Sequence, residues 1–162
     1  MENLQKRKKL RLEGYDYSAS GAYFITICTK DKKQLFGKIV GDAPLSVPRI
    51  HFSEIGKTVK MCVENTNNVY RFISVDKYVI MPNHIHMILV IVGGTHGGAS
   101  PTKSLIAKAV NALKSLTSRQ IGFSLWQRSY HDHIIRNQEE YKMIWEYIDG
   151  NLAKWKEDRY YL

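Results

Sequence analysis

The sequence predicts an α+β domain in which helices pack on one mostly antiparallel sheet. Three observations carry this expectation: a β-branched and aromatic run at Tyr23 to Thr29, two alternating segments on either side of Met81-Pro82-Asn83, and two longer segments, Ser53 to Asn67 and Pro101 to Gln120, with apolar residues at helical spacing. Read in order, the elements are strand, helix, hairpin, helix, strand and helix, which suits helices laid on a sheet.

Tyr23 to Thr29 follows the turn signal Ser20-Gly21 and is dense in residues that fit a pleated, half-buried surface, so it forms the first strand. A short extended piece around Leu35 to Val40 and a turn-rich stretch through Gly41, Pro44 and Pro48 come next. In the first helix Ile55, Val59, Cys62 and Val63 share a face, with Ser53 placed to cap it. Phe72 to Ile80 and His84 to Val92 then form a hairpin, because both alternate and the Pro and Asn between them suit a tight reversal. Gly93 to Gly98 is a Gly-rich loop; it is not a phosphate-binding P-loop, since Ala99 stands where the Lys is required. Pro101, capped by Ser100, opens a helix with Leu105, Ala109, Leu113 and Leu116 on one face and Lys103, Lys108, Lys114 and Arg119 largely on the other. Gln127 to Ile135 reads as the last strand. Asn137 followed by Glu140 has capping-box spacing and starts the final helix, whose stripe of Tyr141, Ile144, Ile148 and Leu152 should face the core.

A length of 162 residues suits one core, read as a basic N-terminal arm over residues 1–14 and a single domain over residues 15–162. The balance of 44% hydrophobic and 24% charged residues is that of a globular protein, and no apolar run approaches the ~20 residues that span a bilayer. Lys6, Arg7, Lys8, Lys9 and Arg11 precede no apolar stretch, so the N-terminus is not a secretory signal; a cytoplasmic protein without a membrane partner is expected. Cys28 and Cys62 stand in no CxxC arrangement, which argues against a disulfide framework or a cysteine zinc site and makes both small core hydrophobes. The net charge of +9 favours a polyphosphate partner, nucleic acid above all.

The chemistry centres on His84-Ile85-His86. Alternate side chains of a strand point the same way, so the two imidazoles lie about 6.5 Å apart along the backbone and converge, while Ile85 enters the core. Such a pair can ligate a divalent metal if another element supplies a third donor; the alternative is two solvent-facing histidines on an exposed hairpin face. Tyr147 and Asn151 stand four residues apart on the final helix and flank its apolar stripe. Taken alone, Tyr147 is one of 10 tyrosines, and an amphipathic edge position explains it equally well.

Several stretches together closely resemble the REP-associated tyrosine transposases, relatives of the single-tyrosine HUH transposases of bacterial insertion sequences. They are Gly14-Tyr15-Asp16-Tyr17-Ser18, Gly21 to Cys28, Met81-Pro82-Asn83-His84-Ile85-His86, Leu125 to Arg136, and Tyr147-Ile148-Asp149-Gly150-Asn151. The resemblance runs from about Arg7 to Trp155 in the same order. It departs at Asn151-Leu152, where the family commonly has Asn-Pro, and at Gly150, which replaces a larger residue.

The resemblance implies a ferredoxin-like α+β domain in which His84, His86 and Asn151 bind Mg²⁺ or Mn²⁺ and Tyr147 attacks a DNA phosphate. The product would be a 5′-phosphotyrosine and a free 3′-OH, resolved by another 3′-OH, on single-stranded or hairpin DNA. His133 is a further candidate site residue, with a structural strand histidine as the alternative. Arg11, Lys103, Lys108, Lys114, Arg128 and Arg136 are candidates for phosphate contacts, and Trp126, Tyr130, Trp155, Tyr160 and Tyr161 for base stacking. Two rival readings are a hairpin-binding protein without turnover and a metal-dependent phosphoesterase that activates water. The sequence leaves open whether the chain works as a homodimer, with the tyrosine helix serving its own His pair or a partner's.

Overall fold

The computed structural model describes residues 21–41, 45–92 and 105–162. The basic arm with Arg11, the Gly14 to Ser18 motif, the Gly93 to Gly98 loop, the Ser100-Pro101 cap and Lys103 lie outside the described residues. Four strands, β1 (Gly21–Cys28), β4 (Ile73–Met81), β5 (His84–Ile91) and β6 (His131–Ile135), form an antiparallel sheet in the order β4-β5-β1-β6. Helix α1 (Glu54–Val69) connects β1 to β4, and helix α2 (Leu105–Ile121) connects β5 to β6. Two strand-helix-strand units interleaved in this way are the ferredoxin-like arrangement. A small hairpin of β2 (Gly37–Val40) and β3 (Arg49–Phe52) is inserted before α1, and helix α3 (Gln138–Gly150) follows β6.

One face of the sheet is the main core. Tyr23, Ile25, Ile27, Ile85, Met87 and Leu89 pack on Val59, Cys62 and Val63 of α1 and Ile106, Ala109, Val110 and Leu113 of α2. Fully burying each of the larger apolar side chains contributes about 1.5–3 kcal/mol, so the strand pattern and the two helix faces stabilise one another. In β4 the register shifts between Val75 and Lys77, and the shift keeps Ile73 and Val75 before it, and Tyr78 and Ile80 after it, on the core. Cys28 and Cys62 are free and buried, as expected of small hydrophobes.

Both sequence caps form: the Ser53 hydroxyl accepts from Gly56 N–H at 3.0 Å, and the Asn137 side chain from Glu140 N–H at 2.8 Å. Three expectations change. Strand β3 replaces part of the turn-rich stretch; its four residues alternate in burial but are too few and too polar to announce a strand. The last strand begins at His131 rather than Gln127, because the Lys114 ammonium binds the Gln127 and Ser129 carbonyls at 2.7 and 3.0 Å, taking acceptors a ladder would use. In α3 Ile148 is the buried apolar residue, whereas Tyr141 and Ile144 are half-buried, since the helix lies against β4 and β5 and leaves much of its side open.

Gly56 lets α1 start against the inserted hairpin. A Cβ there would sit 1.9 Å from the Phe36 carbonyl oxygen and 2.9 Å from the Phe52 ring, whereas one at Gly150 meets nothing within 4 Å. Gly56→Ala should therefore destabilise by about 1–3 kcal/mol through overpacking, and Gly150→Ala should stabilise by up to about 1 kcal/mol through helix propensity. Urea unfolding midpoints that move in opposite directions would bear this out; equal shifts would refute it.

Candidate active site

The second face of the sheet carries the site. Phe24, Thr26 and Cys28 of β1 point to it, and pairing places Thr26 opposite His86 and Cys28 opposite His84. The chain after α3 folds back over this face: Asn151 caps the helix, a short 3₁₀ segment Leu152–Glu157 follows, and Trp155 and Tyr160 are buried with Cys28 and Met81. The His pair is consequently buried, at 0% exposure for His84 and 2% for His86, rather than solvent-facing.

Their Nε2 atoms lie 3.1 Å apart, and each Nδ1 has a partner behind it. His84 Nδ1 meets the Asn83 Oδ1 at 2.8 Å, while the Asn83 amide donates to the Lys32 and Tyr160 carbonyls at 3.1 and 2.8 Å. Those two acceptors orient the amide, so His84 carries its proton on Nδ1 and turns an Nε2 lone pair into the site. His86 Nδ1 lies 2.7 Å from the Thr26 hydroxyl. Burial holds both imidazoles neutral, His84 pushed down to about 2 with help from His86, and His86 to about 3 with help from Arg159. A carboxylate oxygen of Asp158 stands 3.7 Å from His84 Nε2, a separation that favours a charged imidazole; burial outweighs it.

Tyr147 reaches this site, with Asn151 one helix turn further on. The Tyr147 hydroxyl is 3.4 Å from His86 Nε2, a long contact, and its ring stands edge-on to Phe24 and His86. Tyr147 remains 44% exposed, so a substrate can approach it. Burial of the ring raises its pKa and the Asp158 charge adds to this, while the Asn151 hydrogen bond and the Arg159 charge pull down; burial prevails and the phenol is neutral. Asn151 is helical and 3% exposed, and its Oδ1 is buried without a hydrogen-bond partner.

The donors fit a divalent ion with nitrogen and oxygen ligands. His84, His86 and Asp158 bring their ligand atoms within 4.8 Å of one another, and the Asn151 oxygen, one helix turn beyond Tyr147, is buried without a hydrogen-bond partner. Beside them lies a pocket of about 190 Å³, lined by Phe24, Thr26, His86, His131, Tyr147 and Arg159 among others. His133 also lines it, on exposed β6, and hydrogen-bonds Glu140 at the start of α3.

Asp158, Arg159 and the positioning role of Asn83 carry no signal in the sequence, where Asn83 has only the look of a turn residue. Trp126, Tyr130, Trp155 and Tyr160, expected as stacking aromatics, are all four buried; Trp126 donates its indole N–H to Thr117 at 2.7 Å. Tyr161 is 44% exposed. Lys108, Arg128 and Arg136 are exposed, and Lys114 binds two backbone carbonyls. Among the described residues no helix is long and apolar enough to cross a membrane.

An uncharacterised protein of Haemophilus influenzae is 33% identical to this chain, over 98% of it and 95% of its own length. The chain belongs to the family of that protein. No protein-family model matches it. A solved REP-associated tyrosine transposase bound to a REP hairpin superposes with a TM-score of 0.63 and 18% identity, covering 89% of this chain and 74% of that one. This chain has the REP-associated tyrosine transposase fold. A transposase-like protein of Deinococcus radiodurans gives a TM-score of 0.45 at 20% identity over 86% of this chain and 97% of that one, too slight a likeness to support inference. Within the transposase fold, the sheet face and α3 together form the site described above.

Proposed function

We propose that this protein is a metal-dependent, single-tyrosine DNA strand transferase of the HUH type that cleaves and rejoins single-stranded or hairpin DNA. The observation that carries the reading is the meeting of the half-exposed Tyr147, through its hydroxyl, with the buried pair His84 and His86, a nucleophile set against metal donors. The solved relative of this fold was captured on a REP hairpin, which favours folded DNA as the partner.

His84 and His86, with the Asn151 oxygen, would hold Mg²⁺ or Mn²⁺; when bound, the ion stabilises charge on the scissile phosphate. Tyr147 attacks phosphorus through its phenolic oxygen as the phenol loses its proton, and the bond to the 3′-oxygen breaks. That oxygen takes up a proton and leaves as a 3′-OH, while the 5′-phosphate stays on Tyr147. Asn151 and, more weakly, Arg159 favour the phenolate against burial and the Asp158 charge, which oppose it. Attack by another 3′-OH reverses the step and completes strand transfer, so the bond energy is kept.

The test is incubation with Mn²⁺ and labelled hairpin and single-strand oligonucleotides, followed by denaturing electrophoresis. A labelled band at the protein's mass is expected. Cleavage without an adduct would replace this reading with the water-activating phosphoesterase, and hairpin binding without cleavage would leave a binding protein.

DNA affinity should also depend steeply on salt. If Lys108, Arg128 and Arg136 each neutralise one phosphate, log affinity falls with a slope of about 2.7 against log salt, or about 40-fold between 50 and 200 mM. Fluorescence anisotropy titrations measure the slope; a flat response would remove the electrostatic argument.

A further inference from the structure

We infer that Asp158, carried over the site by the C-terminal tail, is an anionic metal ligand alongside His84 and His86. The inference rests on the reading of the His pair as a metal site and adds to it a charged donor from a different element.

The aim of the carboxylate is the first reason. Asp158 Oδ1 accepts from the Tyr160 N–H at 2.8 Å, which fixes the side chain and leaves Oδ2 directed at His84 Nε2, 3.7 Å away. Metal bonds of about 2.1 Å put neighbouring ligand atoms about 3 Å apart at right angles and about 4 Å apart when opposed, a range that the separations of 3.1 and 3.7 Å, with all three atoms within 4.8 Å of one another, approach.

Burial is the second. The Asp158 side chain is 3% exposed, and among the described residues no Lys or Arg nitrogen lies within ion-pair distance of it. A carboxylate taken out of water is costly unless a cation meets it. The Asn151 Oδ1, buried and without a partner, points to the same unmet need for a cation.

The tail is anchored for the role. Asn83, which fixes the His84 ring from behind, also donates to the Tyr160 carbonyl, and Tyr160 and Trp155 pack against His84 with centroids at 4.5 and 6.1 Å. One residue thus sets both the His84 lone pair and the turn that presents Asp158. Two imidazoles and an amide bring no charge to the ion; a carboxylate does, and it suits the hard cations of phosphoryl chemistry.

The test is Mn²⁺ titration of the full chain without DNA, by calorimetry and by the loss of the free-ion paramagnetic resonance signal. Wild type should bind one ion, and His84→Ala with His86→Ala none. Asp158→Asn keeps the acceptor for Tyr160 N–H and should weaken binding at least about tenfold, the loss seen even for outer partners of metal ligands. Its melting temperature without metal should match or exceed wild type, and a given Mn²⁺ concentration should raise the melting temperature of wild type more than that of the variant. Asp158→Ser, smaller and still able to accept from Tyr160, gives the same answer should the Asn variant fold poorly. Wild-type affinity in both variants would overturn the ligand assignment alone, even if adduct formation became faster because a tail contact had been loosened. Absence of Mn²⁺ binding by wild type would overturn the metal reading and this inference together.

Discussion

Tyr147→Phe should abolish the covalent DNA adduct, by at least about a thousandfold, while leaving fold, metal binding and hairpin binding in place. The substitution removes one oxygen. The ring keeps its edge contacts with Phe24 and His86, and the 44% exposure of the residue limits what is lost on folding. The hydroxyl's long contact with His86 and its bond with Asn151 are modest, so stability should change by no more than about 1 kcal/mol. Loss of a nucleophile has no such compensation: of the hydroxyls lining the pocket, Thr26 is engaged with His86 Nδ1 and Tyr160 is buried, while Tyr147 is 44% exposed. Peptide mapping of the wild-type adduct should place the nucleotide on the segment Met143 to Asn151. Tyr141→Phe is the control: its ring lies 6.0 Å from Trp145 on the open side of α3, and the variant should form adduct normally. Adduct on Tyr141 or Tyr130, or undiminished adduct in Tyr147→Phe, would remove Tyr147 from the chemistry.

Local chemistry was legible where it was itself local. Ser53 and Asn137 cap their helices because a cap needs only a residue type and a three-residue offset, and His84 and His86 share a face because a strand alternates. The α+β class was legible from the succession of strands and helices, whereas the strand order β4-β5-β1-β6 rests on long-range pairing that succession does not specify. What could not be read is what the tail does. Trp155, Asp158 and Tyr160 look like a solvated aromatic and charged end; they become a lid on His84 only through Asn83, 77 residues away from Tyr160 in the chain. The same holds for Lys114, which looks like one more cation on a basic helix face and instead binds the Gln127 and Ser129 carbonyls. Placing Tyr147 beside the His pair needed the family resemblance, because helical spacing alone does not say which strand a helix will cover.

Replacing His84 and His86 together by Ala should eliminate both Mn²⁺ uptake and adduct formation while sparing most of the salt-sensitive DNA binding. Both rings are neutral, so their removal strands no buried charge of their own. It does leave space beneath Tyr160, Trp155 and Phe24, against which the rings pack, at a cost of about 2–5 kcal/mol for a large-to-small change of this kind. Circular dichroism and urea melts should therefore report a weaker but folded protein, and oligonucleotide affinity at low salt should stay near wild type because Lys108, Arg128 and Arg136 are untouched. The same variant decides which chain the tyrosine serves. Tyr147 lies 3.4 Å from His86 of its own chain, so mixing the double-Ala protein with Tyr147→Phe should yield no adduct, each half-site lacking one component. Restored adduct in the mixture would mean that α3 leaves its own sheet and completes the site of a second copy; adduct from the double-Ala protein alone would end the HUH reading.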